Sequence, residues 1–147
     1  MRKGFTLIEL LIVMSVVAIL VSIIVPSFRA MQQEAWISKA EKEVQTIQMA
    51  LESYYRHHRA YPSNITTTLT ETAPKIITQT LKDPWDTDIN NQTYGFVTKN
   101  VGNNTYYVIY SQGINAQKNW DWASDGTAKV VLESDCDDII QTNAKIE

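Results

Sequence analysis

The alternation of apolar and polar positions divides the chain into stretches of different character, the first of which is almost wholly apolar. Residues 5–25 carry no charge except Glu9. About twenty helical residues, each rising about 1.5 Å, span the roughly 30 Å of a bilayer's hydrocarbon core. The pattern therefore predicts a transmembrane helix over residues 5–25.

A second helical pattern follows over residues 26–60. Apolar residues recur there at intervals of three and four, at Ile37, Ala40, Val44, Ile47, Leu51 and Tyr54. This spacing places them on one face of an amphipathic helix. The next strong helix-ending signal is Tyr61-Pro62, so we expect the two segments to form one continuous helix of about fifty-five residues.

Strand patterns dominate the last third of the chain. Residues 93–99, 105–111 and 128–134 are rich in β-branched and aromatic residues and are bounded by Asn, Gly or Asp. The connection between the first two contains Gly102, which favours a hairpin. We expect the third stretch to extend the same antiparallel sheet, packed on the second half of the helix. The predicted fold class is α+β, with residues 63–80 a loop that contains one short helical turn.

Composition and charge disfavour several function classes. The formal net charge is −3, the pI is about 5.4 and no run of Lys or Arg occurs, so nucleic acid is not an expected partner. No catalytic or nucleotide-binding motif is present, and we predict that the protein is not an enzyme. The single cysteine, Cys136, cannot form an intramolecular disulfide, and it lies in an acidic segment that we expect to be solvated.

The charges before the apolar stretch predict its orientation in a membrane. Arg2 and Lys3 are the only charged residues that precede it. By the positive-inside rule, they place the N-terminus in the cytoplasm and the C-terminal part of the chain outside.

The first nine residues, MRKGFTLIE, resemble the class III prepilin signal of the type IV pilin-like family. In that family a membrane peptidase cuts after the glycine and methylates the new N-terminus. The resemblance implies that residues 1–4 are a cytoplasmic leader, that cleavage falls between Gly4 and Phe5, and that Phe5 becomes N-methylated.

Glu9 needs a partner, because a carboxylate at the centre of a bilayer costs about 3 kcal/mol. The resemblance implies that Glu9 pairs with the Phe5 amine of a neighbouring subunit and sets the axial register of a filament. The alternative is that Glu9 lies near the cytoplasmic interface without a specific partner. Pro26 matches the family's proline, at which the helix bends or melts in assembled filaments.

Two further segments are similar to the major pseudopilin of type II secretion systems. These are Asp83-Pro84-Trp85, followed by a polar stretch and an aromatic strand, and Tyr61-Pro62 at the end of the long helix. The narrower resemblance implies a single-pass bacterial inner-membrane protein. Its periplasmic domain over residues 61–147 would adopt the type IV pilin-like fold.

The same resemblance implies a structural role and a set of partners. The subunit would polymerise into a periplasmic pseudopilus that drives protein export. Its partners would be further copies of itself, minor pseudopilins, the prepilin peptidase and the inner-membrane assembly platform. Two alternatives stay open: a type IV pilus pilin for adhesion, twitching or DNA uptake, and a minor tip or binding subunit.

In major pseudopilins the loop after the second sheet strand binds calcium, and here that region reads YSQGINAQKNWDWASDGT. The candidate ligands that the resemblance implies are Ser111, Gly113, Asn115, Asp121 and Asp125. Calcium takes six to eight oxygen ligands, and a bound ion would close a loop that no disulfide secures. The alternative is that Asp121 and Asp125 are turn residues and that Trp120 and Trp122 are packing anchors.

Overall fold

The computed structural model describes residues 5–71, 77–86 and 93–147 of the chain. The chain divides into two compact units, Met1–Ala35 and Trp36–Glu147. Helix α1, Leu7–His58, contributes residues to both. In the first unit every described residue is exposed, and α1 is the one helix of the described chain that is long and apolar enough to cross a membrane.

Pro26 lies inside α1, and the helix continues on both sides of it. A proline has no N–H, so the backbone hydrogen bond to the carbonyl of Ser22 cannot form. Bending or melting at Pro26 in an assembled filament stays a prediction.

The second half of α1 buries one face, as its pattern predicts. The buried residues of the helix are Ala40, Val44, Ile47, Ala50 and Leu51. The helix ends at His58, and Arg59 follows in the left-handed conformation with φ 58°. The backbone N–H of Arg59 donates to the Tyr55 carbonyl at 2.8 Å, which closes the last turn.

A short second helix and six strands follow. They are α2, Ile65–Glu71, and the strands β1 Gly95–Val101, β2 Asn104–Ser111, β3 Trp120–Trp122, β4 Lys129–Leu132, β5 Ile139–Thr142 and β6 Lys145–Ile146. The Asn64 side chain caps α2 by accepting hydrogen bonds from the N–H groups of Thr66 and Thr67. The prediction of one short helical turn within residues 63–80 is confirmed, although residues 72–76 lie outside the described part.

The first sheet has the strand order β1-β2-β5 and is antiparallel throughout. The β1–β2 hairpin is confirmed, with Val101 paired to Asn104. Gly102, with φ 61°, takes the first position of the two-residue turn, where a hairpin turn of type II′ requires a positive φ. The α+β class and the small three-stranded antiparallel sheet are therefore confirmed.

The third predicted strand belongs to a different sheet, so that part of the prediction is wrong. β4 pairs with β3 on one side and, in parallel, with β6 on the other. The third strand of the first sheet is β5, which pairs with β2. The reason is that β2 is buried on both faces: Tyr107 and Ile109 pack in the core with α1, whereas Val108 packs with Trp120 and Val130. The second sheet covers that second face.

Tyrosine hydroxyls join the first sheet region to carboxylates of α1. The Tyr94 hydroxyl donates to Glu43 Oε2 at 2.7 Å, and the Tyr107 hydroxyl donates to Glu52 Oε1 at 2.9 Å. Tyr61 donates to the same Glu52 oxygen at 3.3 Å. Burial, with the adjacent carboxylates, raises the pKa of all three hydroxyls, that of Tyr61 to about 12. These tyrosines stay protonated donors at neutral pH.

Candidate functional site

Helix α1 begins with reciprocal hydrogen bonds between Thr6 and Glu9. The Thr6 N–H and hydroxyl donate to Glu9 Oε2 at 2.9 and 2.7 Å, and the Glu9 N–H donates to Thr6 Oγ1 at 3.3 Å. This is a capping box, in which the two side chains satisfy N–H groups that a helix N-terminus leaves without partners. The T-x-x-E spacing before an apolar run is the sequence signal of this capping box, and neither the predicted pair with the Phe5 amine nor its alternative makes use of it.

The capping box orients Glu9 without neutralising it. Both donors to its carboxylate come from the neutral Thr6, so a cation is still required wherever this segment is removed from water. Phe5 is 82 % exposed, and Gly4 lies outside the described residues. Cleavage between Gly4 and Phe5, methylation of Phe5 and the pairing of Glu9 across subunits stay predictions.

The N-terminal half of α1 presents an apolar surface that the rest of the described chain does not cover. The exposed fraction of its large apolar side chains runs from 43 % at Val25 to 86 % at Leu7. Exposing so much apolar area to water is unfavourable at roughly 25 cal/mol per Å². This surface therefore requires lipid or the apolar helices of other molecules.

The candidate calcium ligands make separate local contacts in the structure. Ser111 is buried, and its hydroxyl donates to Asp83 Oδ1 at 2.8 Å. The Trp85 N–H donates to the same Asp83 oxygen at 3.0 Å, so the Asp83-Pro84-Trp85 segment is anchored at the end of β2. Burial raises the pKa of Asp83 despite these hydrogen bonds. Ser111 thus serves this anchor.

The two aspartates of the predicted calcium set make only local contacts: Asp121 lies in β3, and Asp125 lies in the turn between β3 and β4. Asp121 is exposed, accepts the Trp122 N–H and lies 3.6 Å from Lys118 Nζ. Asp125 accepts hydrogen bonds from the hydroxyl and N–H of Thr127, which hold the pKa of its carboxyl below the usual value. Among the described residues, no hydrogen bond or ion pair joins two of the five candidates.

Trp120 and Trp122, on either side of Asp121, are packing anchors. Trp120 is 1 % exposed and makes edge contacts with Tyr110 and Trp122. The Lys99 ammonium lies 5.3 Å from the Trp122 ring centroid. It also donates to the carbonyls of residues 123 and 127 at 3.3 and 2.9 Å, which ties the Asp125 turn to β1. Of the alternative interpretation, the structure shows the packing of the tryptophans and the turn at Asp125, but not a turn at Asp121.

The structure instead joins the loop after β2 to the segment before β5. Asp137 Oδ2 accepts the Asn115 N–H, and Asp138 Oδ2 accepts the Asn119 N–H, both at 2.9 Å. Gly113 has φ 64°, and a Cβ there would lie 2.4 Å from the Asp137 carbonyl oxygen. The expectation of a solvated acidic segment is wrong for Asp137 and Asp138, because the loop is closed on them.

Burial is the main reason that the pKa of Asp138 is raised, although the Asn119 N–H opposes it; the nearby carboxylates add to the rise. Burial, followed by nearby acids, likewise raises the pKa of Cys136, which keeps its thiol protonated at neutral pH. No three His, Cys, Asp or Glu side chains in the described ranges are grouped to hold a metal ion.

Two family models together match most of the chain. Residues 1–25 match the prokaryotic N-terminal methylation motif, and residues 28–129 match protein G of the type II secretion system. No solved structure matches the chain.

Curated relatives fall into two groups. The type II secretion system core protein G of Pectobacterium carotovorum is 27 % identical over 100 residues, which cover 59 % of this chain and 64 % of that protein. Its counterpart in Pseudomonas aeruginosa is 34 % identical over 62 residues, 42 % of this chain and 44 % of that protein. A fimbrial protein of Neisseria meningitidis serogroup A is 38 % identical over 66 residues, 45 % of this chain and 39 % of that protein.

The chain thus spans less than two thirds of the length of each of these relatives. The match to the protein G family model is longer than these matches to single proteins. It covers more than half of this chain and includes the second half of α1, both strands of the hairpin and β3. On that match, the protein belongs to the type II secretion system protein G family.

Proposed function

We propose that this protein is a structural subunit of a pilin-like filament, and specifically of the periplasmic pseudopilus of a type II secretion system. The observation that carries the proposal is the uncovered apolar surface of α1, which begins with a single carboxylate held by Thr6. Membership of the protein G family supports the choice of pseudopilus.

The apolar half of α1 would have two successive environments. Before assembly it spans the bacterial inner membrane, with the C-terminal part of the chain in the periplasm. In the filament, the same surface packs against the helices of neighbouring subunits. Because both environments are apolar, transfer between them needs little change in the burial of this surface.

Glu9 would act after the prepilin peptidase has cut behind Gly4 and freed the Phe5 amine. Its hydrogen bonds to Thr6 keep its carboxylate at the positive end of the helix, beside that new amine. Pairing Glu9 of one subunit with the Phe5 amine of the next neutralises both charges and sets the axial step.

Growth of the filament would push exported proteins outward through a secretin. A separate ATP-driven assembly platform supplies the energy, and minor pseudopilins assemble with the same filament. This chain contributes binding surfaces and no catalysis.

A type IV pilus pilin is the second candidate, because the Neisseria fimbrial protein is 38 % identical over 66 residues. The extension of the protein G match to residue 129 favours the pseudopilus. The single cysteine also argues against a pilin stabilised by an intramolecular disulfide.

A deletion strain of the source bacterium tests the proposal. The culture medium is analysed by mass spectrometry, and surface fibres are counted by electron microscopy. Loss of specific exported proteins with fibres intact is the expected result. Loss of fibres with export intact would instead identify a type IV pilin.

Complementation then tests the role of Glu9. We expect Glu9→Ala to abolish export while the protein still accumulates in the membrane. Glu34→Ala, which removes another exposed acid of α1 beyond the apolar stretch, is the matched control and should restore export. Normal export with Glu9→Ala would refute the register role.

A further inference from the structure

Helix α1 ends in a cluster of exposed basic residues. The four consecutive residues 56–59 are all basic and all exposed, and none of them forms an ion pair in the part of the chain that the structure describes. The two histidine rings donate through Nδ1 to the carbonyls of Ser53 and Tyr54, at 2.8 and 3.2 Å, which orients both rings on the last turn. We call Arg56, His57, His58 and Arg59 the basic patch.

A group of carboxylates lies in the segment between β4 and β5. Two of them are exposed, and the other two are partly buried and each accept one backbone N–H of the loop after β2. These neutral donors leave the negative charges in place, and none of the four carboxylates forms an ion pair within the described ranges. We call Glu133, Asp135, Asp137 and Asp138 the acidic patch.

The acidic patch lies near the start of the compact unit Trp36–Glu147. It adjoins the end of β2, because Gly113 lies against the Asp137 carbonyl oxygen. That end of β2 is anchored through the Asp83 carboxylate to Trp85. The Trp85 ring in turn makes an edge contact with the Trp36 ring of α1, at 6.4 Å between centroids.

The basic patch lies at the other end of the same unit. Arg56 follows Trp36 by twenty residues on α1, which is about 30 Å at about 1.5 Å per residue. The start of β2 is at this end, since the Tyr107 hydroxyl reaches Glu52 at 2.9 Å. Strand β2 therefore runs from the side of the basic patch toward the acidic patch, and no ion pair of the described chain joins the two.

We propose that the acidic patch of one molecule binds the basic patch of a second copy of this chain, displaced along α1. The inference rests on the proposed filament, in which all copies leave one membrane and therefore point the same way. A copy about 30 Å further from the membrane, several positions along the filament, places its acidic patch beside the basic patch of the first.

The chemistry of the two patches suits such a contact. An arginine guanidinium can bind a carboxylate through two parallel N–H···O hydrogen bonds. Identical patches of two copies repel each other, so charge favours the head-to-tail arrangement over contact between identical ends. Two different surfaces that meet in this way can repeat without closing, which is the geometry of a helical filament. The patches thus select the position of a neighbour, while the apolar surface of α1 provides most of the stabilisation.

Disulfide crosslinking tests the contact directly, because Cys136 lies within the acidic segment and is the only cysteine of the chain. The full-length Arg56→Cys variant is produced in the deletion strain, and intact cells are oxidised with copper phenanthroline. We expect a ladder of linked multimers on non-reducing electrophoresis, since each copy supplies two different cysteines. The ladder should disappear when Cys136→Ser is added. Lys42→Cys, at an exposed base nearer the middle of the helix, is the control and should give no ladder.

A second cysteine arrangement guards against slow reaction of the partly buried Cys136. The chain with Arg56→Cys, Asp135→Cys and Cys136→Ser carries its reporter at an exposed position of the acidic patch. The same ladder is expected. Because Asp135 accepts only a hydrogen bond from Ser134 among the described contacts, this substitution should leave the fold unchanged.

Charge exchange tests whether the contact is electrostatic. Arg56→Glu with Arg59→Glu should lower export by the complemented deletion strain about tenfold, because acids of two copies would then face each other. Glu133→Lys with Asp135→Lys should do the same. All four substitutions in one chain bring unlike charges together again and should restore most of the export, which a merely structural role of these side chains would not do.

A control for net charge is available in the same chain. Lys42→Glu with Lys82→Glu also replaces two exposed bases by two acids, but both positions lie outside the basic patch. This variant should export as well as the unmodified protein. Export reduced as strongly as by the reversal of Arg56 and Arg59 would show that overall charge is the cause, and would overturn the proposal.

Three further results would overturn it. One is the absence of a ladder with both cysteine arrangements. Another is linkage that stops at dimers, which would join identical patches. The third is export by the fourfold variant that is no better than export by the two-residue variants. The tests of the contact and of the pseudopilus fail separately: Glu9-dependent export without a ladder would overturn only the contact, whereas a ladder in a strain whose export does not need this protein would overturn only the pseudopilus.

Discussion

Removing one hydroxyl, in Tyr107→Phe, is expected to lower the free energy of unfolding by about 2 kcal/mol, since a hydrogen bond to a charged group contributes roughly 1.5–3 kcal/mol. Tyr107 has no exposed surface, and its hydroxyl donates to Glu52 Oε1 at 2.9 Å. The ring would stay packed, so the change reports the hydrogen bond between the first sheet and α1 and little else.

Tyr61 is the second donor to Glu52, and its removal should cost less stability than removal of the Tyr107 hydroxyl. Tyr61 reaches the same oxygen at 3.3 Å and is only partly buried, so Tyr61→Phe should lower stability by less than about 1 kcal/mol. Because one donor partly compensates for loss of the other, the double variant should lose more than the sum of the two single losses.

Urea unfolding of the full-length protein in detergent, followed by tryptophan fluorescence, measures these differences. Tyr106→Phe is the matched control, since the Tyr106 hydroxyl on the same strand makes no hydrogen bond among the described residues. We expect it to change stability by less than about 0.5 kcal/mol. A Tyr107→Phe effect no larger than that of the control would refute the tether between β2 and the helix.

Two further perturbations test other contacts. Gly113→Ala would place a Cβ 2.4 Å from the Asp137 carbonyl oxygen at a positive φ, and it should lower the free energy of unfolding by about 2–4 kcal/mol. The control Gly102→Ala has a similar φ but open space around the new Cβ, so it should lower that free energy by only about 1 kcal/mol. Equal losses in the two variants would disprove the close approach at Gly113. Stability should also fall as the pH rises from about 10 to 12. The pKa of Tyr61 is about 12 in the folded protein and near 10 in the unfolded chain. Its protonated hydroxyl therefore contributes fully to the free energy of unfolding below pH 10, and this contribution is lost as the pH rises through 12. A urea midpoint that does not change between pH 9 and pH 12 would contradict this.

Local sequence patterns predicted the strand β2 but not which elements cover it. The sequence TYYVIYS identified β2, and its unbroken run of apolar residues is typical of a strand covered on both faces. The hairpin prediction gives this strand a neighbour in the sheet but no partner for its second face. That face is covered by β3 and β4, so the stretch at residues 128–134 pairs away from the first sheet.

The candidate sites likewise include one contact that local sequence indicates and one that it does not. The Thr6–Glu9 capping box depends on residues three apart and could be read from T-x-x-E alone. The contact of Asp137 with Asn115 joins residues 22 apart, and no local spacing indicates it. The aspartates that the resemblance implies, Asp121 and Asp125, lie close to that loop in the sequence.

The amino-acid sequence by itself determined the apolar segment, the amphipathic half of α1, the hairpin and the family, because each depends on a repeat or motif within a short window. Only the tertiary structure decided which strand completes each sheet and which carboxylates close the loop after β2. Strand pairing and hydrogen bonding between distant segments depend on which faces and donors the rest of the fold leaves open. An alternation of period two shows which side chains share a face of the strand, but it does not show which other strand pairs with it.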